Sequence, residues 1–139
     1  MRITLMDGSN YFRGLLLLIR KDRNASHPEI ELMKRIGKAL GFETEFCNNA
    51  IDEILENKFI VDEPPQFSTK ELARKFITDG LTLAASDKEI HPSEEQWLKS
   101  TVEKNGLQVE WFLQERENAT KRKGHYAYLE VDELTVEYS

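Results

Sequence analysis

Carboxylates are gathered in the second half of the chain at a spacing that suits cation binding. The segment Asp87-Lys-Glu-Ile-His-Pro-Ser-Glu94 contains three of them, Asp87, Glu89 and Glu94. Carboxylate oxygens are the hard ligands that calcium, magnesium and manganese prefer. Asp79 lies about two turns earlier on the same predicted helix and adds a fourth carboxylate if its face turns toward the loop. We therefore predict a divalent-cation site (Ca, Mn or Mg) at Asp79, Asp87, Glu89 and Glu94, and no other cofactor.

A weaker copy of this pattern lies in the first half. Asp22, Asn24 and Glu29 occupy the corresponding positions, and basic side chains flank Asp22 on both sides. An amide replaces one carboxylate, and the neighbouring positive charges oppose cation binding. The sequence alone leaves open whether this first loop retains a cation site.

Structural roles compete with cation binding for these residues. Glu29 follows Ser26 by three residues, which is the spacing of a helix capping box, and Glu94 stands in the same relation to His91. An aspartate that follows a helix, such as Asp87, can instead bond its own backbone in a turn. Both interpretations remain open from the sequence.

Two common types of metal site are excluded. An EF-hand loop needs glycine at its sixth position and an acid at its twelfth, whereas counting from Asp87 gives Pro92 and Leu98. The three histidines are not spaced as a zinc cluster, and a single cysteine cannot supply thiolate partners. Cys47 is instead expected in the core.

The chain contains an internal repeat with an offset of 65 residues. The segment 11–47 superposes on 76–112 without a gap. The identical pairs are Leu16/Leu81, Leu18/Leu83, Asp22/Asp87, Glu29/Glu94, Lys34/Lys99, Gly41/Gly106 and Glu45/Glu110. Apolar character is also kept in pairs such as Phe46 and Trp111. The matched polarity and the matched glycine indicate the duplication of a structural unit.

Each copy predicts three helices. Their predicted bounds are about 10–21, 27–40 and 43–55 in the first copy, and about 69–86, 92–105 and 108–119 in the second. Gly41 and Gly106 stand where a helix ends in a left-handed residue. Ser68 and Glu71 have capping-box spacing at the start of the fourth helix, and 7–10 is predicted as a turn or cap before the first.

The 139 residues are predicted to form one all-α domain, a helical bundle built from the two repeats. Repeat 1 covers about 10–56, a connection 57–67, repeat 2 about 68–120, and a tail 121–139. Pro64 and Pro65 prevent the connection from continuing a helix. Apolar and polar residues alternate around Ile3 and around Val136, which predicts a short β pairing of the two termini.

Composition narrows the possible partners and location. Hydrophobic residues make up 40% of the chain, charged residues 32%, and the net charge is −6. Nucleic acid is not expected as the main partner, because its binding depends on cationic neutralisation of phosphates. No apolar run approaches the roughly 20 residues of a membrane span, and the start lacks the layout of a signal peptide. We therefore expect a cytoplasmic protein.

The acidic segment and the duplicated helices resemble the tellurite-resistance protein TerB and the wider TerB-like group, which includes the N-terminal domain of the co-chaperone DjlA. The motif of that group is Asp-x-Glu-(Ile/Val)-x-x-x-(x)-Glu between two helices, and Asp87 to Glu94 matches it, except that Lys88 stands where glycine is common. Ala84 and Ala85 before the motif also resemble the group. The likeness covers about residues 10–115. It implies a compact helical bundle, an acidic cation site and a cytoplasmic stress or membrane-linked setting, and it supplies no enzymatic activity to carry over.

Two functions are compatible with these observations. The first is a non-catalytic TerB-like module that responds to a divalent cation through the acidic loop. The second is a metal-free adaptor whose aromatic tail recruits a protein partner, and the aromatic residues that suggest it are Trp97, Trp111, Tyr126, Tyr128 and Tyr138. An enzyme is not expected, because the sequence shows no nucleophile–base pair or cofactor fingerprint.

Overall fold

The computed structural model describes residues 1–21, 26–86, 89–122 and 128–138. Its helices are α1 (Leu5–Arg20), α2 (His27–Ala39), α3 (Thr44–Glu56), α4 (Lys70–Ala84), α5 (Pro92–Lys104) and α6 (Val109–Lys121). The helices α4, α5 and α6 start 65 residues after α1, α2 and α3, respectively. This spacing equals the offset of the sequence repeat. The strands β1 (Arg2–Thr4) and β2 (Thr135–Glu137) pair in parallel, with Ile3 opposite Val136. The predicted all-α bundle with paired termini is confirmed.

The first helix lies at the centre of the bundle. Its core segment from Leu15 to Ile19 is buried on every side, and α1 contacts α2, α3, α4 and α5. A helix that is apolar around most of its surface is expected in such a position. Within the described part of the chain, no helix combines the length and the apolarity that crossing a bilayer requires.

The first helix begins earlier than the sequence pattern indicated. Thr4 is its N-cap and accepts a hydrogen bond from the Asp7 N–H at 3.1 Å, so the segment predicted as a turn lies within the first turns of α1. Asp7 is buried, and its carboxylate accepts from the Ser68 N–H at 3.2 Å and from the Ser68 hydroxyl. Because Ser68 is engaged there, Thr69 caps α4 and accepts from the Leu72 N–H at 3.1 Å. The prediction of Ser68 as the cap was wrong by one residue.

Left-handed glycines end the second helix of each repeat, as predicted. Gly41 has φ +82° and Gly106 has φ +69°. The chain then folds back, so that the Phe42 N–H donates to the Gly37 carbonyl at 3.0 Å. The ring of Phe42 consequently packs edge-on against Phe12, with 5.8 Å between the ring centroids.

Candidate functional site

The structure describes only part of the predicted cation site. Asp87 lies outside the described residues, as do Asp22 and Asn24 of the first loop. Glu89 is exposed, whereas Glu94 is fully buried at the start of α5. Among the described residues, no three or more His, Cys, Asp or Glu side chains are arranged to hold a metal ion. The cation site therefore stays a prediction.

Glu29 and Glu94 both close capping boxes, which confirms the structural interpretation of their spacing. The Ser26 N–H donates to Glu29 Oε1 at 2.9 Å, and the Glu29 N–H donates to the Ser26 hydroxyl at 3.2 Å. At the start of α5, the His91 N–H donates to Glu94 Oε1 at 3.1 Å. These bonds satisfy backbone N–H groups that have no partner within the helix. Each glutamate therefore fixes the start of a helix.

Asp79 belongs to a different site from the acidic loop. Its carboxylate is 1% exposed, and the Tyr11 hydroxyl donates to its Oδ2 at 2.7 Å. The backbone N–H groups of Glu130 and Val131 donate to Oδ1 at 2.7 Å and to Oδ2 at 2.9 Å. The expected role of Asp79 as a further cation ligand required its face of α4 to turn toward the loop. The structure instead turns that face toward α1 and the tail, where both oxygens are bonded within the chain.

Burial controls the ionisation of this carboxylate. Desolvation raises the pKa of Asp79 to about 7, although hydrogen bonds from Tyr11 and the two backbone N–H groups favour the charged form. Burial, followed by the charge of Asp79, raises the pKa of Tyr11 well above its ordinary value. Tyr11 therefore remains a donor, while Asp79 exchanges a proton near neutral pH.

Asp79 anchors one end of a tail segment that binds the body of the same molecule. The tail forms a 3₁₀ helix (Glu130–Glu133), and Lys75 Nζ lies 3.2 Å from Glu130 Oε2 and 3.0 Å from Glu133 Oε2. Arg35 Nη2 lies 2.7 Å from Asp132 Oδ2. These ion pairs join the tail to α4 and α2, so residues 128–138 are attached by charges as well as by β2.

The aromatic residues of the adaptor hypothesis have several different environments. Trp97 is buried, and its indole N–H donates to the Asp62 carbonyl at 2.8 Å. Tyr128 and Tyr138 are exposed by 56% and 57%, although the Tyr138 hydroxyl donates to the backbone carbonyl at the end of α2. Tyr126 lies outside the described residues. Trp97 is thus part of the core and is excluded as an exposed anchor.

An open apolar groove lies on the first repeat, between α1, α3 and the connection. It has a volume of about 360 Å³. Its apolar lining consists of Phe12, Phe42, Phe46, Ala50, Ile54 and Ile60. Phe46 is 52% exposed and packs against Phe42, with 5.3 Å between the ring centroids. We call this surface the α1–α3 groove.

Local features of the sequence hold the two rims of the groove in place. Gly41 turns the chain so that Phe42 folds over α1 at one rim. At the other rim, the Arg20 guanidinium donates to the carbonyls of Ile54 at 3.2 Å and Ile60 at 2.7 Å. A planar guanidinium suits this task, because it presents several donors in a fixed geometry. The turn fixed by Arg20 carries Phe59, which is 83% exposed.

Two side chains of opposite charge line the groove. Arg13 lies on α1 and Glu53 on α3, and both line the groove with exposed side chains. Within the described ranges, neither side chain forms an ion pair. The groove therefore presents an apolar floor with one cation and one anion at its edges.

The second repeat has a polar contact at the corresponding positions. Thr78 and Glu115 occupy the positions 65 residues after Arg13 and Ala50, and the Thr78 hydroxyl donates to Glu115 Oε2 at 3.3 Å. A polar bridge between α4 and α6 thus replaces the open apolar surface between α1 and α3. Because both repeats have the same helices, the helical frame alone does not require the groove.

Sequence reasoning did not single out this groove. The sequence pattern alone predicts no role for Arg13 or Glu53. The available signal was the difference between the two copies, with Ala50 in one and Glu115 in the other. Charged side chains usually cover the surface of a helix. An alanine at a surface position where the related helix has a glutamate therefore indicates a helix face that lacks such a charge.

No model of a known protein family, no curated protein and no solved structure matches the chain. The TerB-like resemblance consequently rests on the acidic motif and on the sequence repeat. We treat membership of that group as part of the proposal below.

Proposed function

We propose that this chain is a non-catalytic interaction module of the TerB-like type, and that the α1–α3 groove is its binding surface. The observation that carries the proposal is the exposure of large apolar side chains around a concave surface, at positions where the related repeat has a polar contact. Monomeric proteins rarely expose contiguous apolar surface of this kind unless it binds something. The stress-related setting implied by the resemblance belongs to the same proposal.

The energy available from the groove and from the exposed residues of the adjoining connection is large enough to support binding. Phe46, Phe59 and Val61 are 52%, 83% and 73% exposed. Fully burying an apolar side chain of this size contributes about 1.5–3 kcal/mol. Aromatic side chains beside a pocket are also common anchors in protein interfaces. A partner that covers these three residues would gain several such contributions.

The carboxylate with the shifted pKa lies away from the proposed binding surface. Asp79 has the pKa of a group that exchanges protons at neutral pH, yet it is buried and bonded to Tyr11 and the tail backbone. Asp79 does not line the α1–α3 groove. Among the described residues that form the groove, no nucleophile is paired with a base. The raised pKa of Asp79 therefore follows from its burial in the bundle.

The proposal is tested by photo-cross-linking from the groove in living cells. Benzoylphenylalanine is placed at position 46 in the cells that naturally express the chain, and irradiated adducts are identified by mass spectrometry. The matched control carries the same group at position 113, because Leu113 is 53% exposed but lies on α6. We expect a defined adduct from position 46 alone. No adduct from position 46, or identical adducts from both positions, would exclude the groove as the binding surface.

A cation response is the second candidate function, and it is motivated by the three carboxylates of the sequence segment from Asp87 to Glu94. It is tested by thermal melts with Ca²⁺, Mn²⁺, Mg²⁺ or Zn²⁺. A bound ion raises the midpoint of unfolding by mass action. We expect Asp87→Ala/Glu89→Ala to lose that increase, whereas the exposed control Glu31→Ala keeps it. Equal responses in the wild type and the double variant would remove the site assignment.

A further inference from the structure

We propose that the occupant of the α1–α3 groove is a second copy of this chain, in a dimer with twofold symmetry. This inference rests on the proposed function, since it identifies the partner of the same surface. A twofold interface uses one patch on both subunits, so that patch must be complementary to itself. The described residues around the groove supply the elements of such a patch, which are a projecting apolar side chain, a hollow and two side chains of opposite charge.

The shape condition is met by a projecting side chain beside a hollow. Phe59 is 83% exposed and is not part of the groove lining, whereas its neighbour Ile60 is. Arg20 fixes the turn that contains both residues, because its guanidinium donates to the carbonyls of Asn57 at 3.0 Å and Ile60 at 2.7 Å. The projection and the hollow are therefore held side by side. In a twofold dimer, each Phe59 enters the groove of the other subunit.

The charge condition is met by Arg13 and Glu53. Arg13 on α1 and Glu53 on α3 both line the groove, and neither forms an ion pair within the described part of its own chain. A twofold arrangement that brings Arg13 of one subunit to Glu53 of the other forms the same pair twice. An unrelated helical partner would need a separate acid and base at matching positions. A second copy already carries both.

The first experiment measures association of the intact chain by sedimentation equilibrium over a range of concentrations. We expect a reversible monomer–dimer equilibrium for the wild type. Arg13→Glu and Glu53→Arg should each weaken dimerisation, because each places like charges opposite one another at two symmetric positions. The double variant Arg13→Glu/Glu53→Arg should regain most of the wild-type affinity, since it exchanges the two charges while keeping the pairs.

A second set of variants tests the apolar contact. Phe59→Ser removes the projecting ring from both halves of the interface and should weaken dimerisation about tenfold or more. Leu113→Ser is the matched control, because Leu113 is also an exposed apolar residue but lies on α6. It should leave the affinity unchanged. Circular dichroism of every variant establishes that the helical fold is retained.

Three results would overturn the inference. They are a wild-type chain that stays monomeric at all concentrations, a dimer that Phe59→Ser does not weaken, and a double charge variant that is weaker than either single variant. The proposed function is judged separately by the cross-link from position 46. An adduct with a different polypeptide, together with a monomeric wild type, would keep the groove as a binding surface and reject the second copy as its occupant.

Discussion

The replacement of Asp79 by asparagine should change how the stability of the protein depends on pH. Asp79 has a pKa of about 7 in the folded chain, against an ordinary value of 3.8. Below pH 3.8 the carboxyl is protonated in both the folded and the unfolded state. Between pH 3.8 and 7 only the folded state keeps the proton, so the free energy of unfolding falls as the pH rises. Above pH 7 both states are ionised and this contribution is constant.

The magnitude follows from the size of the shift. Each pH unit between the two pKa values changes the free energy of unfolding by about 1.4 kcal/mol. Between about pH 5 and pH 8 the contribution of Asp79 therefore declines by about 3 kcal/mol. The amide that replaces the carboxyl in the variant does not titrate, so the stability of the wild type relative to Asp79→Asn should decline by this amount. All other titrating groups are common to both proteins and largely cancel in the difference.

The assay is urea unfolding of both proteins at four pH values from about 5 to about 8, followed by circular dichroism. Asp52→Asn is the matched control, since Asp52 is an exposed aspartate on α3. The difference in free energy of unfolding between Asp52→Asn and the wild type should change across this pH range by much less than the difference between Asp79→Asn and the wild type. A difference between wild type and Asp79→Asn that stays constant with pH, or that grows as the pH rises, would refute the assignment of Asp79 as a desolvated carboxyl group.

Three further predictions concern the frame around the groove. Arg20→Ala should lower the free energy of unfolding, measured by urea unfolding, by about 2–4 kcal/mol, because three backbone carbonyls lose a charged donor. Arg20→Lys should recover less than half of this loss in the same assay. Gly41→Ala should cost about 1–2 kcal/mol in the same assay, since alanine is strained at φ +82°; an unchanged stability would contradict the observed turn. Ser26→Ala should cost about 1 kcal/mol by removing one half of a capping box, and a neutral effect in thermal melts would contradict that role.

The repeated helical frame could be predicted from the sequence because its signals are local. Gly41 and Gly106 mark helix ends through the left-handed conformation that only glycine adopts easily, and both have positive φ. The apolar periodicity gave the helices to within a few residues except at the start of α1. That start was missed because Thr4 is a weaker cap signal than the Asp7-Gly-Ser-Asn10 segment that follows it. The burial of Asp7 against Ser68 depends on a contact 61 residues away.

The environment of the candidate residues could be predicted only in part. The capping roles of Glu29 and Glu94 depend on neighbours three residues away, so their spacing was sufficient. The environment of Asp79 depends on Tyr11 and on the tail, which are 68 and about 50 residues distant. The position that corresponds to Asp79 in the first repeat is Gly14. A comparison of the repeats therefore contains no second carboxylate that would indicate a shared role for this position. Long-range contacts of this kind follow from tertiary packing and have no local signal.

The most direct measurement of the central claim is a dilution series followed by amide NMR spectra of the intact chain. We predict that the resonances which shift with concentration belong to the groove and its rims, within 9–13, 42–54 and 57–61. Resonances of α5 and α6 should stay unchanged in the same series. Spectra that do not depend on concentration, or shifts centred on α5 and α6, would contradict association through the α1–α3 groove.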